Sequence, residues 1–347
     1  MRVSKDAGLG RIEVTKGLGA ILQRDEGIVA LVDLRNPFSA RVLGRYDDGA
    51  EDSLDGDLAF SSDGQWLFYA RQTERFSNDG VHVLDVSDPT QPRLATYQPG
   101  GGTFRIGYFK AGDGTEYVIV LDAIDGLVIN RFVRETGALI KVFQDAEPAL
   151  KVGGPASAGL FIDRNDPMTG RPLLYVTTGR TGLQIYDITL PESPEIIGKW
   201  SDVGLAEVEV VATRTKRTVF AATEYWFNEQ LKPEVHVLDA TKLDAIRRTA
   251  RWSLGLPPDN LWRVQGMDRH RGNLFVAYSH AGVVAFDRSG VVRRSAASPF
   301  RQHEDAGATG SVHAMDVELR RPYIFVTDAA TGRLVIMTRP GARGSHG

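Results

Sequence analysis

Asp55 and Asp57, Arg105, Ser157, Glu207 and Glu209, Arg263 and Gln265, and Ser311 and His313 are the residues whose types could do chemistry together. Each group stands just before or inside a short apolar run, among them DLAFSS, FRIGYF, SAGLFI, VQGMD and VHAMD. Gathered at one mouth, they would mix carboxylate, guanidinium, amide, hydroxyl and imidazole, a set able to hold a polar ligand. The same set suggests hydrolase or lyase chemistry: Glu207 or Asp57 as base, His313 as acid, and Arg105 or Arg263 as charge stabiliser. The plain alternative is a rim that is polar because it is wet. A second candidate is TEYWFNEQLKP, where Tyr225, Trp226 and Phe227 stand together. Aromatics on a long loop suit a glycan or a protein contact, unless they pack over their own neighbours.

Other chemistries find less support. The run DDGAEDSLDGD, Asp47 to Asp57, and the trio His303, Glu304 and Asp305 offer carboxylates to Ca²⁺, Mg²⁺ or a basic partner. No EF-hand spacing is present, and DRNDPMTG at Asp163 lacks the closing acid, so a solvated acidic loop is the plainer reading and no cofactor is expected. The seven histidines form no metal pattern. His82 and His236 occupy equivalent places in a repeat, and His270 and His346 stand in a basic turn and in the tail. Ser157 lies in PASAG, not in the Gly-x-Ser-x-Gly elbow of a serine hydrolase. GLGRIE, GLGAIL and QPGGGT read as turns, because no helix follows to offer its N-terminus to a phosphate. With no cysteine in the chain, disulfides, thiolate nucleophiles and Cys-bound zinc are excluded. A net charge of -3 gives no broad basic field for nucleic acid or anionic lipid. No apolar run reaches the length of a membrane span, and the N-terminus given has no signal-peptide core. The compartment stays open.

The elements that must position these residues are legible as a repeat. GIVALVDLRNP, GVHVLDVSDPTQP, GLVINRFVRET, GLQIYDITLPESP, EVHVLDATKLD, GVVAFDRSGVV and GRLVIMTRPGA share one frame. Asp33, Asp85, Arg131, Asp187, Asp239, Asp287 and Met337 hold its sixth or equivalent place, at separations of 52, 46, 56, 52, 48 and 50 residues. Two short β-branched or aromatic runs precede each copy, and in the regular copies another follows, with glycine or polar turns between. Four antiparallel strands per unit, seven times over, predict an all-β, seven-bladed β-propeller over residues 1–340, followed by a disordered polar tail at 341–347. Asp85 and its equivalents should turn the third strand into the fourth, with Asp and Ser oxygens accepting nearby N–H groups and proline fixing φ. Ala59, Gly107, Gly159, Gly266 and Ala314 read as one matched small slot in the first strand, where blades crowd about the axis. The seventh copy lacks a fourth strand, so Arg2 to Lys5 should complete it and pair the two chain ends. In this geometry the loops leading into first strands and those joining second to third strands share one face around a central channel.

The segments GVHVLDVSDPTQP, GLQIYDITLPESP and GIVALVDLRNP resemble the LVIVD-repeat family of bacterial and archaeal propellers. The resemblance runs from about Gly27 to Pro340. It implies seven blades and an exported, periplasmic or surface-associated protein, often one module of a larger one, and it implies no reaction and no catalytic residues. The expectation is therefore a non-enzymatic binding or scaffold module, a monomer or a module of a larger protein. It would meet a protein or carbohydrate at Asp55, Asp57, Arg105, Ser157, Glu207, Arg263, Gln265, His313 and the aromatic trio, with the hydrolase or lyase reading as the alternative.

Overall fold

The structure, a computed structural model, describes residues 1–4, 8–24, 26–49, 53–73, 79–145, 158–179, 181–202, 204–223, 233–254, 264–270, 272–279, 282–291, 314–320 and 323–338, the side chains of 53–55, 104, 270 and 338 apart. Its strands form seven antiparallel sheets. Blade 1 comprises β1 (Leu9–Thr15), β2 (Leu18–Gln23), β3 (Ile28–Asp33) and β4 (Arg41–Asp47). Blade 2 comprises β5 (Ser53–Phe60), β6 (Trp66–Thr73), β7 (Gly80–Asp85) and β8 (Arg93–Pro99). Blade 3 holds β9 (Thr103–Lys110), β10 (Glu116–Asp122), β11 (Gly126–Val133) and β12 (Ala138–Asp145). Blade 4 holds β13 (Ala158–Asp163), β14 (Leu173–Thr178), β15 (Gly182–Asp187) and β16 (Glu195–Trp200). In blade 5 are β17 (Leu205–Ala212), β18 (Arg217–Thr223), β19 (Glu234–Asp239) and β20 (Arg247–Ser253). Three strands are described in blade 6, β21 (Gly266–His270), β22 (Asn273–Ala277) and β23 (Val283–Phe286), and three in blade 7, β24 (Ala314–Arg320), β25 (Tyr323–Asp328) and β26 (Arg333–Thr338).

The core proves that these sheets form a ring. Blades are apolar on both faces, so each must bury each face against a neighbour. Among the described residues seven apolar clusters do this, one for each seam. Leu22 and Leu31 meet Leu58 and Tyr69 between blades 1 and 2, Phe68 and Val83 meet Ile106 and Val118, and Ile119 and Ile129 meet Leu174 and Val176. Tyr175 and Ile185 meet Val208 and Val219, Phe220 and Trp252 meet Val276 and Phe286, and Ala277 meets Val317 and Val326. The seventh cluster packs Ile12, Ile21 and Val32 of blade 1 against Phe325 and Leu334 of blade 7. A two-layer sandwich has no such closed circuit.

The predicted closure is present. Arg2 bridges Arg333 in antiparallel fashion, Val3 N–H donates to Gly332 O at 2.9 Å, and Leu334 N–H donates to Met1 O at 2.9 Å. The repeated corner also behaves as read. Asp33, Asp85, Asp187, Asp239 and Asp287 each accept the N–H two residues on through Oδ1, at 2.9–3.1 Å. Ser87, Thr189 and Ser289 add their hydroxyls to the same oxygens. Each complete blade then carries a bulge at one place in its third-to-fourth strand ladder. The proposed small slot needs correction. Ala59 faces Phe68, Gly107 faces Ile119, Gly159 faces Thr177, Gly266 faces Ala277 and Ala314 faces Asp328, so the five do not share one register position. Only Gly159 and Gly266 correspond. A Cβ on Gly159 would lie 2.8 Å from Glu207 Cα, and one on Gly107 2.7 Å from Ile162 and Leu160 side chains, so the crowding comes from the next blade rather than from the axis.

Candidate functional site

The seven first strands line the channel, and their registers define two tiers. Counting from the mouth end of each second strand, one position holds Arg11, Asp55, Arg105, Gly159, Glu207, Gly266 and Asp316. Two residues deeper stand Glu13, Asp57, Gly107, Phe161, Glu209, Asp268 and Glu318. In blades 1, 2, 3, 5 and 7 the register shifts just at the first of these positions, so the charged residue follows a β-bulge. A bulge inserts one residue and re-aims the strand locally, which is how a side chain in a packed ladder comes to face a site.

The upper tier is tied together across the axis. Glu207 Oε1 of blade 5 accepts from Arg105 Nη2 of blade 3 at 2.5 Å and from Arg11 Nη2 of blade 1. Arg11 Nη1 also lies 3.6 Å from Asp316 Oδ1 of blade 7. All four are buried. One carboxylate thus clamps two guanidinium groups from non-adjacent blades, and the channel is spanned by charge rather than left as an open bore.

The lower tier is acidic in five consecutive blades, 5, 6, 7, 1 and 2. Three channel aspartates, two from this tier and Asp316 from the one above, repeat one device. Asp57 Oδ2 accepts Ile106 N–H at 3.0 Å, Asp268 Oδ2 accepts Leu319 N–H at 2.6 Å, and Asp316 Oδ2 accepts Ile12 N–H at 3.1 Å. Each carboxylate takes a donor on the free inner edge of the next blade, while its other oxygen accepts its own following N–H. An innermost strand has no further strand to satisfy that edge, so the side chain does it.

Burying these acids raises their proton affinity. Burial pushes Asp316 and Asp268 up to about 6, against the opposing pull of Arg11 on the first and of the Leu319 N–H on the second. Asp57 is raised for the same reason, with Arg105 and Arg11 opposing. Glu209 and Glu318 are pushed well above the carboxylate range by burial, and nearby acids add to it. Glu13 also shifts upward through burial, but 32% of its side-chain surface is open, so channel water tempers the push. Arg320 reaches Glu318 at 2.5 Å and Glu13 at 3.8 Å.

Of the residues expected at the mouth, the structure brings Asp57, Arg105, Glu207 and Glu209 to the channel wall. Gln265 lies beside them, its amide 3.5 Å from Ser279 Oγ. Asp55 is placed by its backbone opposite Gln72. Ser157, Arg263, Ser311, His313 and the trio Tyr225, Trp226 and Phe227 lie outside the described residues, as do His303, Glu304 and Asp305. Sequence reasoning missed Arg11, Glu13, Asp268, Asp316 and Glu318. Their signal is legible in hindsight as charge at alternate positions of a first strand: Arg11 and Glu13, Glu207 and Glu209, Asp316 and Glu318.

The acidic run is absorbed by the fold where it is described. Asp47 Oδ1 accepts Gly49 N–H at 2.8 Å, and the Asp48 carboxylate is buried 3.3 Å from Arg71 Nε. Among the described residues no group of three or more His, Cys, Asp and Glu stands where it could hold a metal ion. The matched histidines sit against the last aromatic of the preceding blade, His82 with Tyr46 (Oη to Nδ1, 2.9 Å) and His236 with Trp200. Burial lowers both to about 4.

No protein-family model matches the chain, and no curated protein matches it. Solved structures do. The chain is similar to Sqt1 of Saccharomyces cerevisiae at 12% identity and a TM-score of 0.61, over 97% of this chain and 87% of that one. A functionally unknown protein from Desulfotomaculum acetoxidans matches at 12% identity and a TM-score of 0.61, over 84% and 86%. The β-propeller domain of Cps50 (Swd1) from Myceliophteria thermophila matches at 13% and 0.60, over 97% of each chain. At these identities the likeness is one of fold, a seven-bladed propeller.

Proposed function

We propose that this propeller is a non-enzymatic binding module that engages a protein partner through the mouth face of its channel, and that it is an LVIVD-repeat protein. The observation that carries this reading is the cross-channel clamp of Glu207 on Arg11 and Arg105. The groups that would serve a reaction are engaged with each other: Glu207 Oε1 by two guanidinium groups, and both Asp57 oxygens by backbone N–H groups. A base needs a lone pair within reach of substrate. What the clamp supplies instead is a rigid, polar floor beneath the loops of one face.

That face also presents a fixed apolar contact. Ile124, at the turn between β10 and β11, is 55% exposed. Asp122 Oδ1 holds the turn by accepting the N–H groups of Ile124 at 2.8 Å and Asp125 at 2.9 Å. A pre-organised apolar group beside a polar channel suits a protein contact. Tyr225, Trp226 and Phe227 lie between the strand ends Thr223 and Glu234 of blade 5, outside the described residues. The test is affinity capture with the wild-type chain, Ile124→Asp, and the triple alanine variant of Tyr225, Trp226 and Phe227. A partner retained by the wild type and lost by both variants supports the reading. Unchanged capture, or turnover in a substrate screen that Glu207→Gln abolishes, defeats it.

A further inference from the structure

One place in the repeat is apolar in five blades and polar in blade 3. Val32, Leu84, Tyr186, Leu238 and Phe286 each stand one residue before the corner aspartate of their blade. Each is at most 1% exposed and packs in the cluster that joins its blade to the preceding one. In blade 3 the same place, before Arg131, holds Asn130, which is also 1% exposed. An apolar side chain is content with burial there, whereas an amide carries an acceptor and a donor into the seam and needs partners for both. A break in an otherwise consistent pattern is where function is to be sought.

The partner that the fold supplies is a second amide. Gln98 Nε2, from β8 of blade 2, donates to Asn130 Oδ1 at 3.1 Å. Gln98 Oε1 is buried and accepts no hydrogen bond, and among the described residues the Asn130 NH2 meets no acceptor. Turning both amides over exchanges their roles without changing the count. Two carboxamides joined by one bond leave one NH2 and one C=O unused. Both side chains line a cavity of about 70 Å³ between blades 2 and 3. The charged groups on its wall are engaged with the protein. Asp122 accepts from the N–H groups of Gly101, Ile124 and Asp125 and from the Thr103 hydroxyl. Asp125 Oδ1 accepts Gln144 Nε2 at 3.2 Å, and Lys141 Nζ donates to Gln144 Oε1 at 2.7 Å. The unmatched pair is the neutral one.

We propose that this cavity binds a primary carboxamide, whose C=O accepts from the Asn130 NH2 and whose N–H donates to Gln98 Oε1. A carboxamide carries both functions on one carbon, so it completes the pair as a third amide. An ammonium offers donors only and a carboxylate acceptors only. Either leaves one buried group unmatched, which a site built on hydrogen bonds penalises strongly. The cavity has room for a small amide in place of water, and the amide reproduces the bonds that water would make. A free small amide and an asparagine or glutamine side chain of a partner share this chemistry. The site needs neither Ile124 nor the channel clamp, so it goes beyond the mouth-face reading.

The test follows the side-chain NH2 resonances of Asn130 and Gln98 in the ¹⁵N-labelled full chain during titration with acetamide, acetate and methylammonium. Acetamide is expected to move both saturably, with acetate and methylammonium binding about tenfold weaker or worse. Asn130→Leu restores the residue type of the other blades, so it should keep or raise the melting temperature and lose the Gln98 response to acetamide. Asn130→Asp exchanges the free donor for an acceptor and should turn the preference to methylammonium. Equal response to the three probes overturns the proposal, as does an undiminished acetamide response in Asn130→Leu. No response to acetamide in large excess leaves the cavity to water and overturns it too. The tripeptide Gly-Gln-Gly then assigns the source: a response at the same resonances gives the site to a partner's side chain, and a response to acetamide alone gives it to a free amide. Ile124→Asp should keep the acetamide response, so failure here and failure at the mouth are told apart.

Discussion

At the scale of single residues, the channel is a balance between burial and charge. Glu207 is the residue on which that balance turns, because two buried guanidinium groups share its Oε1. Removing one partner of a buried ion pair leaves the other charge unsupported, at a cost of roughly 3–5 kcal/mol. Glu207→Gln keeps the shape and an acceptor, so the expected loss lies near the lower end, about 3 kcal/mol, read from the urea midpoint. A midpoint within error of wild type would show that Asp316 and Asp57 already balance the arginines. The acids give a second expectation. Asp316 and Asp268 bind protons more tightly in the folded chain, near pH 6, than a free carboxylate does. In the window between about pH 4 and 6 the folded state therefore holds more protons than the unfolded state. Their contribution is fully present below that window and is lost as the pH rises through about 6. Asp316→Asn removes one of the two, so its stability should fall less steeply than wild type over the same window. Parallel denaturation curves at pH 4.5, 5.5 and 6.5 check this, and identical slopes would refute the placement of Asp316.

At the scale of elements, two kinds of aspartate are distinguished by what they hold. Asp85 ties the N–H and hydroxyl of Ser87 into a solvent-facing corner. Asp166, fully buried in the segment between β13 and β14, grips Arg217 at the start of β18 with both oxygens, at 3.1 and 2.6 Å. Arg217 is itself 1% exposed, so it depends on that grip. Asp85→Ala should cost about 1 kcal/mol, the net worth of exposed turn hydrogen bonds. Asp166→Ala should cost roughly 3–5 kcal/mol, because it strands a buried charge between blades 4 and 5. Urea midpoints measure both, and equal losses would contradict the assignment. The sequence separates these aspartates only in part. The corner motif recurs at near-constant spacing and was readable because a turn is specified by residues within a few positions. The Asp166–Arg217 contact spans 51 residues and two blades, and no local pattern announces it. The channel tiers fall between. Charges alternating in the first strands were on view, but the bulges that bring Arg11 and Asp316 into line with Glu207 arise from pairing, not composition.

At the scale of the whole molecule, the repeat count implies the ring but not the bonds that close it. Blades 1 to 7 are joined in sequence order, so the first six seams form between neighbours in the chain. The seam between blades 7 and 1 unites residues more than 300 positions apart, through the Asp316 bond to Ile12, the Thr327 hydroxyl bond to Gly10 O at 2.6 Å, and the Arg320 bond to Val14 O at 2.9 Å. Met1 to Ser4 add the last strand, bury Val3 in the shared apolar cluster, and receive Arg45 Nη2 on Val3 O at 2.9 Å. Deleting residues 1–4 removes that strand without touching any channel group. Burial of one valine side chain is worth about 1.5–3 kcal/mol, and the lost ladder bonds add about 1 kcal/mol each at most. More important, the deletion bares β26 from Gly332 onward, and a long unpaired strand edge is a template for other chains. The truncated protein should melt at lower temperature and scatter light on storage, with the increase steeper at higher concentration. Restoring the four residues as a separate peptide should suppress the scattering if pairing on β26 is the cause. A truncated chain that melts and stays dispersed as wild type does would mean that the side-chain bonds of blades 7 and 1 close the ring unaided.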